Sequence, residues 1–301
     1  MGSGGGGFLL PGILLTVTTL ILFKSILDIF DGSYYSNLFG PKRLQLSPLI
    51  PALIQSGTEW RFENTSNKIG NCSYFSESTK NLLEINRGYN KVVFRKNDKV
   101  VIKKIAFNGP AFMDCMDIAD GDLNKEYQCV ETAAKSFITE IGFLIKLQND
   151  PNVPKLFAYC IPSDFIAHAE LLASATVSGK PLDIIHLATS DWSERVRILD
   201  EIIRFLTRSR PLLFRDFRRQ QFVLIKNQPS MVDFDDVIST NNLTDHEPIV
   251  QKLYISFIDQ ILFATSPLKA QKPLAAMKEA YSNSTLTFEN LSKITKKLRS
   301  L

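Results

Sequence analysis

At 301 residues, 45% apolar and 22% charged, the chain is a globular protein rather than a disordered one, with length for one two-lobed domain or two small ones. A net charge of +4 is too mild for a nucleic-acid binder. The basic cluster Arg208, Arg210, Arg215, Arg218 and Arg219 lacks an interleaved aromatic series and reads as a phosphate-facing or solvated edge. Three histidines and four cysteines stand at no zinc-ligand spacing, which argues against a zinc site.

Residues 1–7 form an uncharged Gly/Ser tail, and residues 8–23 are an unbroken uncharged run of sixteen whose apolar character resumes past Lys24 to Phe30. With Lys24 snorkelling the run reaches about 20 residues, enough for a span. No small-x-small cleavage site follows it, so residues 1–30 read as a tail and retained signal-anchor with the remainder lumenal. The basic residue after the run opposes that orientation under the positive-inside rule. Five N-x-[S/T] sequons (Asn64, Asn71, Asn242, Asn283, Asn290) and an even number of cysteines favour it. Cys72, Cys115, Cys129 and Cys160 allow two disulfides in three pairings.

Residues 31–83 are rich in Pro, Ser and Asn without a sustained period and read as a stem and lead-in. From Ile85 the pattern turns to strands. Residues 91–95 and 99–107 make a hairpin across Asn97-Asp98, preceded by a turn at Gly88 where backbone N–H groups can approach phosphate oxygens. Val100 to Ile105 carries Lys103 and Lys104 inside an apolar run. Alternation puts them on opposite faces, and a buried one needs an anionic partner. After a polar insert at residues 108–122, a helix over 125–148 carries Phe137, Ile141, Leu144 and Ile145 on one stripe, with Glu140 inside it. Glu140 is the expected partner of Lys103, with Glu131 as a substitute.

Strands are expected over 156–161 and 165–177, then a crossing at Ser178-Gly179-Lys180-Pro181. Asp191 with Glu194 predicts a capping box opening a buried helix. That helix leads into the densest stretch of polar chemistry. Phe214-Arg215-Asp216 is followed five residues after Asp216 by Gln221. Next come a strand from Phe222 to Ile225, a turn with Asn227 and Pro229, and a strand ending on Asp233-Phe234-Asp235-Asp236. Helices are expected over 250–263, 273–281 and 288–298. A carboxylate, an amide and a second carboxylate are thus brought together by a loop and a hairpin. Phosphoryl transfer needs one carboxylate to orient the attacking hydroxyl, and an amide and a carboxylate to hold a divalent ion on the phosphates.

The order glycine turn, strand lysine, helix glutamate, Arg-Asp, amide, Asp-Phe-Asp-Asp resembles the protein kinases, and among them the vertebrate lonesome kinases, extracellular tyrosine-protein kinases of the secretory pathway. The resemblance is carried by Arg87-Gly88-Tyr89-x-Lys91, Glu140 with Pro151-Asn152-Val153 and Tyr159-Cys160, Ser190-x-Trp192, Asp216-Phe217-Arg218-x-x-Gln221-Phe222-Val223-Leu224 and Asp233-x-Asp235-Asp236, over residues 84–265. It implies an α+β, bilobal protein-kinase-like fold behind the anchor. The β-rich N-lobe with one long helix covers residues 84–177 and the mainly helical C-lobe residues 178–301.

It also implies ATP with Mg²⁺ or Mn²⁺ as cofactors, and tyrosine in secreted or lumenal proteins as the acceptor. Asp216, Lys103 and Glu140 are then catalytic, Gly88, Lys91 and Lys103 contact the nucleotide, and Asp233 and Gln221 hold the metal. Asn86 in place of an earlier loop glycine, and a short segment between Asp236 and Val250, motivate an alternative: a catalytically inactive pseudokinase acting as a scaffold in the same compartment. A glycan- or lipid-directed kinase on this fold is a third class.

Overall fold

The computed structural model describes residues 42–76, 82–263 and 265–301, so the expected anchor lies outside the described residues. Among the described residues no helix is long and apolar enough to cross a membrane.

The N-terminal half is built on a five-stranded antiparallel sheet of order β4-β5-β6-β8-β7, comprising β4 (Leu83–Arg87), β5 (Lys91–Asn97), β6 (Val100–Ile105), β7 (Leu156–Cys160) and β8 (Ala173–Val177). Alternation in β6 divides its side chains between two layers. Val100 and Ile102 join an outer cluster with Phe75, Ala158, Cys160, Ala173 and Ala175, while Ile105 joins the main core. Lys104 shares the outer face with Val100 and Ile102, where Glu170 is its nearby opposite charge. Lys103 shares the inner face with Ile105. The sheet thereby decides between the two lysines.

Two segments read as a lead-in and a polar insert contain regular structure. Residues 31–83 contain, from Arg43, a three-stranded antiparallel sheet of β1 (Arg43–Leu44), β2 (Leu53–Ser56) and β3 (Glu59–Phe62), followed by a short helix α1 (Ser73–Ser76). Ile50, Leu53, Trp60 and Phe62 of this lead-in are buried in the main core. Ile50 packs so closely on Gly142 that a Cβ there would meet Ile50 Cδ1 at 2.7 Å. Apolar residues in such short pieces carry no readable period, and only docking reveals their burial. The polar insert, in turn, is the helix α2 (Pro110–Ala119), opened by a proline in its first turn and ended by Asp120 in the left-handed conformation (φ 48°).

The long helix α3 spans Leu123–Lys146, and its N-cap Asp122 accepts from the backbone N–H groups of Asn124 and Lys125 at 3.0 and 3.4 Å. All four cysteines are paired. Cys115–Cys129 joins α2 to α3, and Cys72–Cys160 joins the residue before α1 to the end of β7. The strand expected over 165–177 is confined to β8, with a 3₁₀ turn at Ala169–Leu171 before it.

The C-terminal half is mainly helical. It comprises β9 (Lys180–Pro181), α4 (Ile184–Thr189), α5 (Trp192–Arg208), β10 (Leu212–Phe214), β11 (Phe222–Ile225), β12 (Gln228–Met231), β13 (Val237–Ser239), α6 (Glu247–Leu253), a π-helix over Tyr254–Leu262, α7 (Gln271–Ser282) and α8 (Phe288–Arg299). The expected continuous helix from Val250 is thus divided between α6 and the π-helix. Helix α5 begins at the expected place, but the capping box does not form. Asp191 makes no side-chain cap bond, and Glu194 instead accepts from the Arg197 guanidinium at 2.7 Å, a charged partner one turn along. Buried Arg195 ties α5 to the π-helix by donating to the carbonyl of Ile261 and, at 2.7 Å, to that of Thr265.

Between the halves runs the crossing segment. Its strand β9 pairs with β11, and Gly179 lies so close to the β11–β12 hairpin that a Cβ would fall 2.6 Å from Val223 Cγ2. The hairpin turns through Lys226 and Asn227, with φ of 51° and 66°, the type I′ geometry that matches strand twist. The expected α+β, two-lobed architecture is present.

Candidate functional site

The site is assembled from both halves. On β5 and β6, Val93 stands opposite Lys103 and Lys91 opposite Ile105, so Lys91 and Lys103 project from one face of the sheet. Glu140, on the buried part of α3 and 1% exposed, meets both. Its Oε1 accepts from Lys103 Nζ at 2.9 Å and its Oε2 accepts from Lys91. Lys103 also donates to the carbonyl of Val232. The expected Lys103–Glu140 pair is formed, while Glu131 is engaged on the surface by Lys135.

The second half contributes the segment after β12. Phe234 is fully buried, stacked on Phe143 of α3 (centroids 6.4 Å apart) and edge-on to Phe214 at the end of β10 (6.2 Å). This anchor fixes the flanking carboxylates toward the cleft. Asp233 accepts from Lys91 at 2.6 Å and Asp235 lies 3.1 Å from the same ammonium. Asp235 also accepts from the Asn90 amide at 3.2 Å. Burial opposes ionisation of Asp233, but Lys91 and Lys103 outweigh it and hold the carboxyl far below the usual range. Burial, with the neighbouring Asp233 carboxylate, pushes Asp235 up to about 6. For Lys91, burial is overcome by Glu140, Asp233 and Asp235, which raise its pKa above the ordinary lysine value.

Asp216 lies in the loop between β10 and β11, half-buried, with Oδ2 taking the Arg218 guanidinium at 2.5 Å. Arg215 is held by Asp236, to whose Oδ1 its Nε donates at 2.8 Å, and Phe214 pairs with Val237. The loop bearing Asp216 and the segment bearing Asp233 are therefore fastened to each other directly. Gln221 is buried, and its side-chain oxygen accepts the Arg218 backbone N–H at 2.9 Å. At the glycine turn, the Gly88 N–H donates to the Lys91 carbonyl at 2.8 Å, and the Tyr89 hydroxyl donates to Asp114 of α2 at 2.8 Å. A cleft of about 520 Å³ is lined by Gly88, Lys91, Lys103, Asp216, Gln221 and Asp233 together with Asn86, Arg218 and Asp235. Every predicted site residue faces this cleft or, as Glu140 does, holds one that does.

Asp235 and the second role of Lys91 were not foreseen as parts of an ion-holding cluster. The available signal was Asp-Phe-Asp, in which one buried aromatic sends both neighbours the opposite way. Glu140, Asp233 and Asp235 each place an oxygen within 4.8 Å of the others, the only such group of acidic, His or Cys side chains among the described residues.

Two lobes, a strand lysine paired with a helix glutamate, and carboxylates from the lower lobe facing them across a cleft define a protein-kinase-like fold. No family model matches the chain. It is similar to the extracellular tyrosine-protein kinase PKDCC of Homo sapiens, with 30% identity over 159 residues, 50% of this chain and 31% of that protein. The chain spans about a third of the length of this curated relative. The likeness read from the individual motifs is thus found again at the level of the whole aligned stretch. Among solved structures, a crystal structure of WbdD matches with a TM-score of 0.48 and 16% identity over 72% of this chain and 45% of that one. A co-crystal structure of WbdD with the kinase inhibitor LY294002 matches with a TM-score of 0.45 and 17% identity, over 72% and 46% of the respective chains.

Proposed function

We propose that the chain is an ATP-dependent protein kinase of the secretory pathway, directed to tyrosine in lumenal or extracellular proteins. The observation that carries the reading is the convergence of Lys103–Glu140, Asp216 and Asp233 on one cleft of about 520 Å³. Lys103, fixed by Glu140, orients the α- and β-phosphates. Asp216, positioned by Arg218, accepts the proton of the attacking hydroxyl. The donor set of Asp233, Asp235 and the Gln221 amide is all oxygen, the chemistry that suits Mg²⁺ or Mn²⁺. Bound there, the ion supplies charge neutralisation on the β- and γ-phosphates. Arg215, already neutralised by Asp236, lets the Asp216 loop keep its shape without a phosphate on the short segment that follows.

The compartment rests on separate support: two disulfides, five sequon asparagines that are all exposed, and the extracellular assignment in the name of the relative. The apolar run at residues 8–30 would anchor the chain in the membrane. Tyrosine as acceptor comes from that name and the motif likeness alone.

A second reading, the pseudokinase, is favoured by one observation. The Gly88 N–H that would meet a phosphate is tied to Lys91 within its own turn, and Asn86 occupies the neighbouring strand end. The test is incubation of the full chain with γ-labelled ATP and Mn²⁺ or Mg²⁺, with peptide, protein and sugar acceptors, beside Asp216→Asn. Label that depends on Asp216 supports the kinase, and phosphoamino-acid analysis then identifies the acceptor. An absence of label, with nucleotide still raising Tm, supports the pseudokinase.

A further inference from the structure

The cleft contains one more buried lysine than the Lys–Glu pair requires. Lys91 is 8% exposed, at the first residue of β5, and its three ammonium protons meet three carboxylates: Glu140 Oε2, Asp233 Oδ1 at 2.6 Å and Asp235 Oδ2 at 3.1 Å. These are the three acidic side chains whose oxygens cluster within 4.8 Å. The ammonium therefore stands where a divalent cation would be taken up by Asp233 and Asp235.

We propose that Lys91 is a tethered counter-ion that keeps the metal site closed until nucleotide phosphates arrive to receive its ammonium. The proposal rests on the kinase reading of the cleft. The charges set the logic. Three carboxylates with Lys103 alone would carry two uncompensated negative charges in a buried place, and Lys91 reduces this to one.

A buried ammonium cannot be left without an anion, so Lys91 leaves the carboxylates only for another anionic group. A metal ion alone offers it none. A triphosphate in the same cleft does, and it frees Asp233 and Asp235 as it draws Lys91 away. The glycine turn is part of the device, because Asn90 beside Gly88 and Tyr89 is hydrogen-bonded to Asp235 at 3.2 Å. Phosphates entering at that turn meet a residue already bonded to the carboxylate that Lys91 neutralises. Metal and nucleotide then bind as a pair, and metal does not bind first.

The test measures Mn²⁺ binding to the full chain by the paramagnetic resonance of free Mn²⁺, with and without a non-hydrolysable ATP analogue. Without nucleotide, Lys91→Met is expected to bind Mn²⁺ at least tenfold more tightly than wild type, and Lys103→Met is expected to show no such gain. Addition of the analogue is expected to tighten Mn²⁺ at least tenfold on wild type and far less on Lys91→Met. Lys91→Arg, which retains the charge, should behave as wild type.

Equal nucleotide-free affinity for wild type and Lys91→Met overturns the proposal. Should Lys91→Met fail to fold, Lys91→Met/Asp235→Asn is compared with Asp235→Asn, and equal Mn²⁺ affinity again overturns it. Nucleotide-assisted Mn²⁺ binding by wild type with no gain in Lys91→Met leaves the kinase reading standing and removes the counter-ion. A gain in Lys91→Met with no nucleotide-assisted binding by wild type overturns the release of Lys91 by nucleotide, and the kinase reading with it, and leaves only a fixed ion pair between Lys91 and the carboxylates.

Discussion

Glu140→Gln isolates the charge that joins α3 to the sheet while keeping the side chain's shape. Glu140 is 1% exposed and engages two ammonium groups, but the two do not depend on it equally. Lys91 retains Asp233 and Asp235 after the substitution, whereas Lys103 retains only the Val232 carbonyl. The loss therefore concentrates on one pair. At an effective dielectric of about 20, unit charges about 3 Å apart attract by roughly 5 kcal/mol. Relief of the desolvation of Glu140 returns part of this, which leaves a net cost of about 3 kcal/mol, at the lower end for a broken buried pair. In a chain of this size that corresponds to a fall in Tm of roughly 6–12 °C. Calorimetric unfolding of wild type, Glu140→Gln, Lys103→Met and the double variant tests the reasoning. Lys103→Met leaves Glu140 paired with Lys91 and should cost less than Glu140→Gln. The double variant should recover at least about 1 kcal/mol relative to the sum of the singles, because no unpaired ammonium remains. A Glu140→Gln protein melting within 1 °C of wild type, or strictly additive effects, would refute the account.

Two further outcomes follow from the same structure. The Cys72–Cys160 bond spans 88 residues of sequence and Cys115–Cys129 spans 14, so Cys→Ala pairs should cost about 4.6 and about 3 kcal/mol respectively in urea unfolding. The reverse order would show that strain or residual structure in the unfolded chain dominates. Asp235, pushed up to about 6 in the folded protein, makes a contribution to stability that is fully present below the unfolded carboxylate range and is lost as pH rises through 6. Asp235→Asn should therefore gain stability relative to wild type between pH 4 and 7, by at most about 3 kcal/mol. A difference that does not change across that interval would show that Asp235 and Asp233 share their charge differently.

The chemistry-bearing residues were legible because each sits in a local pattern. Lys103 and Lys104 alternate in a six-residue apolar run, Glu140 interrupts a helical stripe, and Asp216, Gln221 and Asp233 are spaced by a loop and a hairpin. Helices α3, α5, α7 and α8 began within two residues of expectation, since 3.6-residue periodicity and helix-ending residues are short-range signals. The failures were also local. The helix α2 is mostly apolar, but it is short, interrupted by Asp114 and Asp117 and bounded by Gly109 and Asp120-Gly121-Asp122, turn-forming residues that mask it as an insert until a disulfide fastens it to α3. The strands of the lead-in are two to four residues long.

Tertiary structure alone decided the partners. Cysteine pairing among three alternatives, the choice of Lys103 over Lys104, and the meeting of Lys91 with Glu140 and Asp233 join residues far apart in the chain. The two contacts of Lys91 cross 49 and 142 positions. A residue's type and immediate neighbours state that a buried charge must be paired. Which charge pairs it depends on how sheet, helix and hairpin close on one another, and that closure is set by the whole core rather than by any window of sequence.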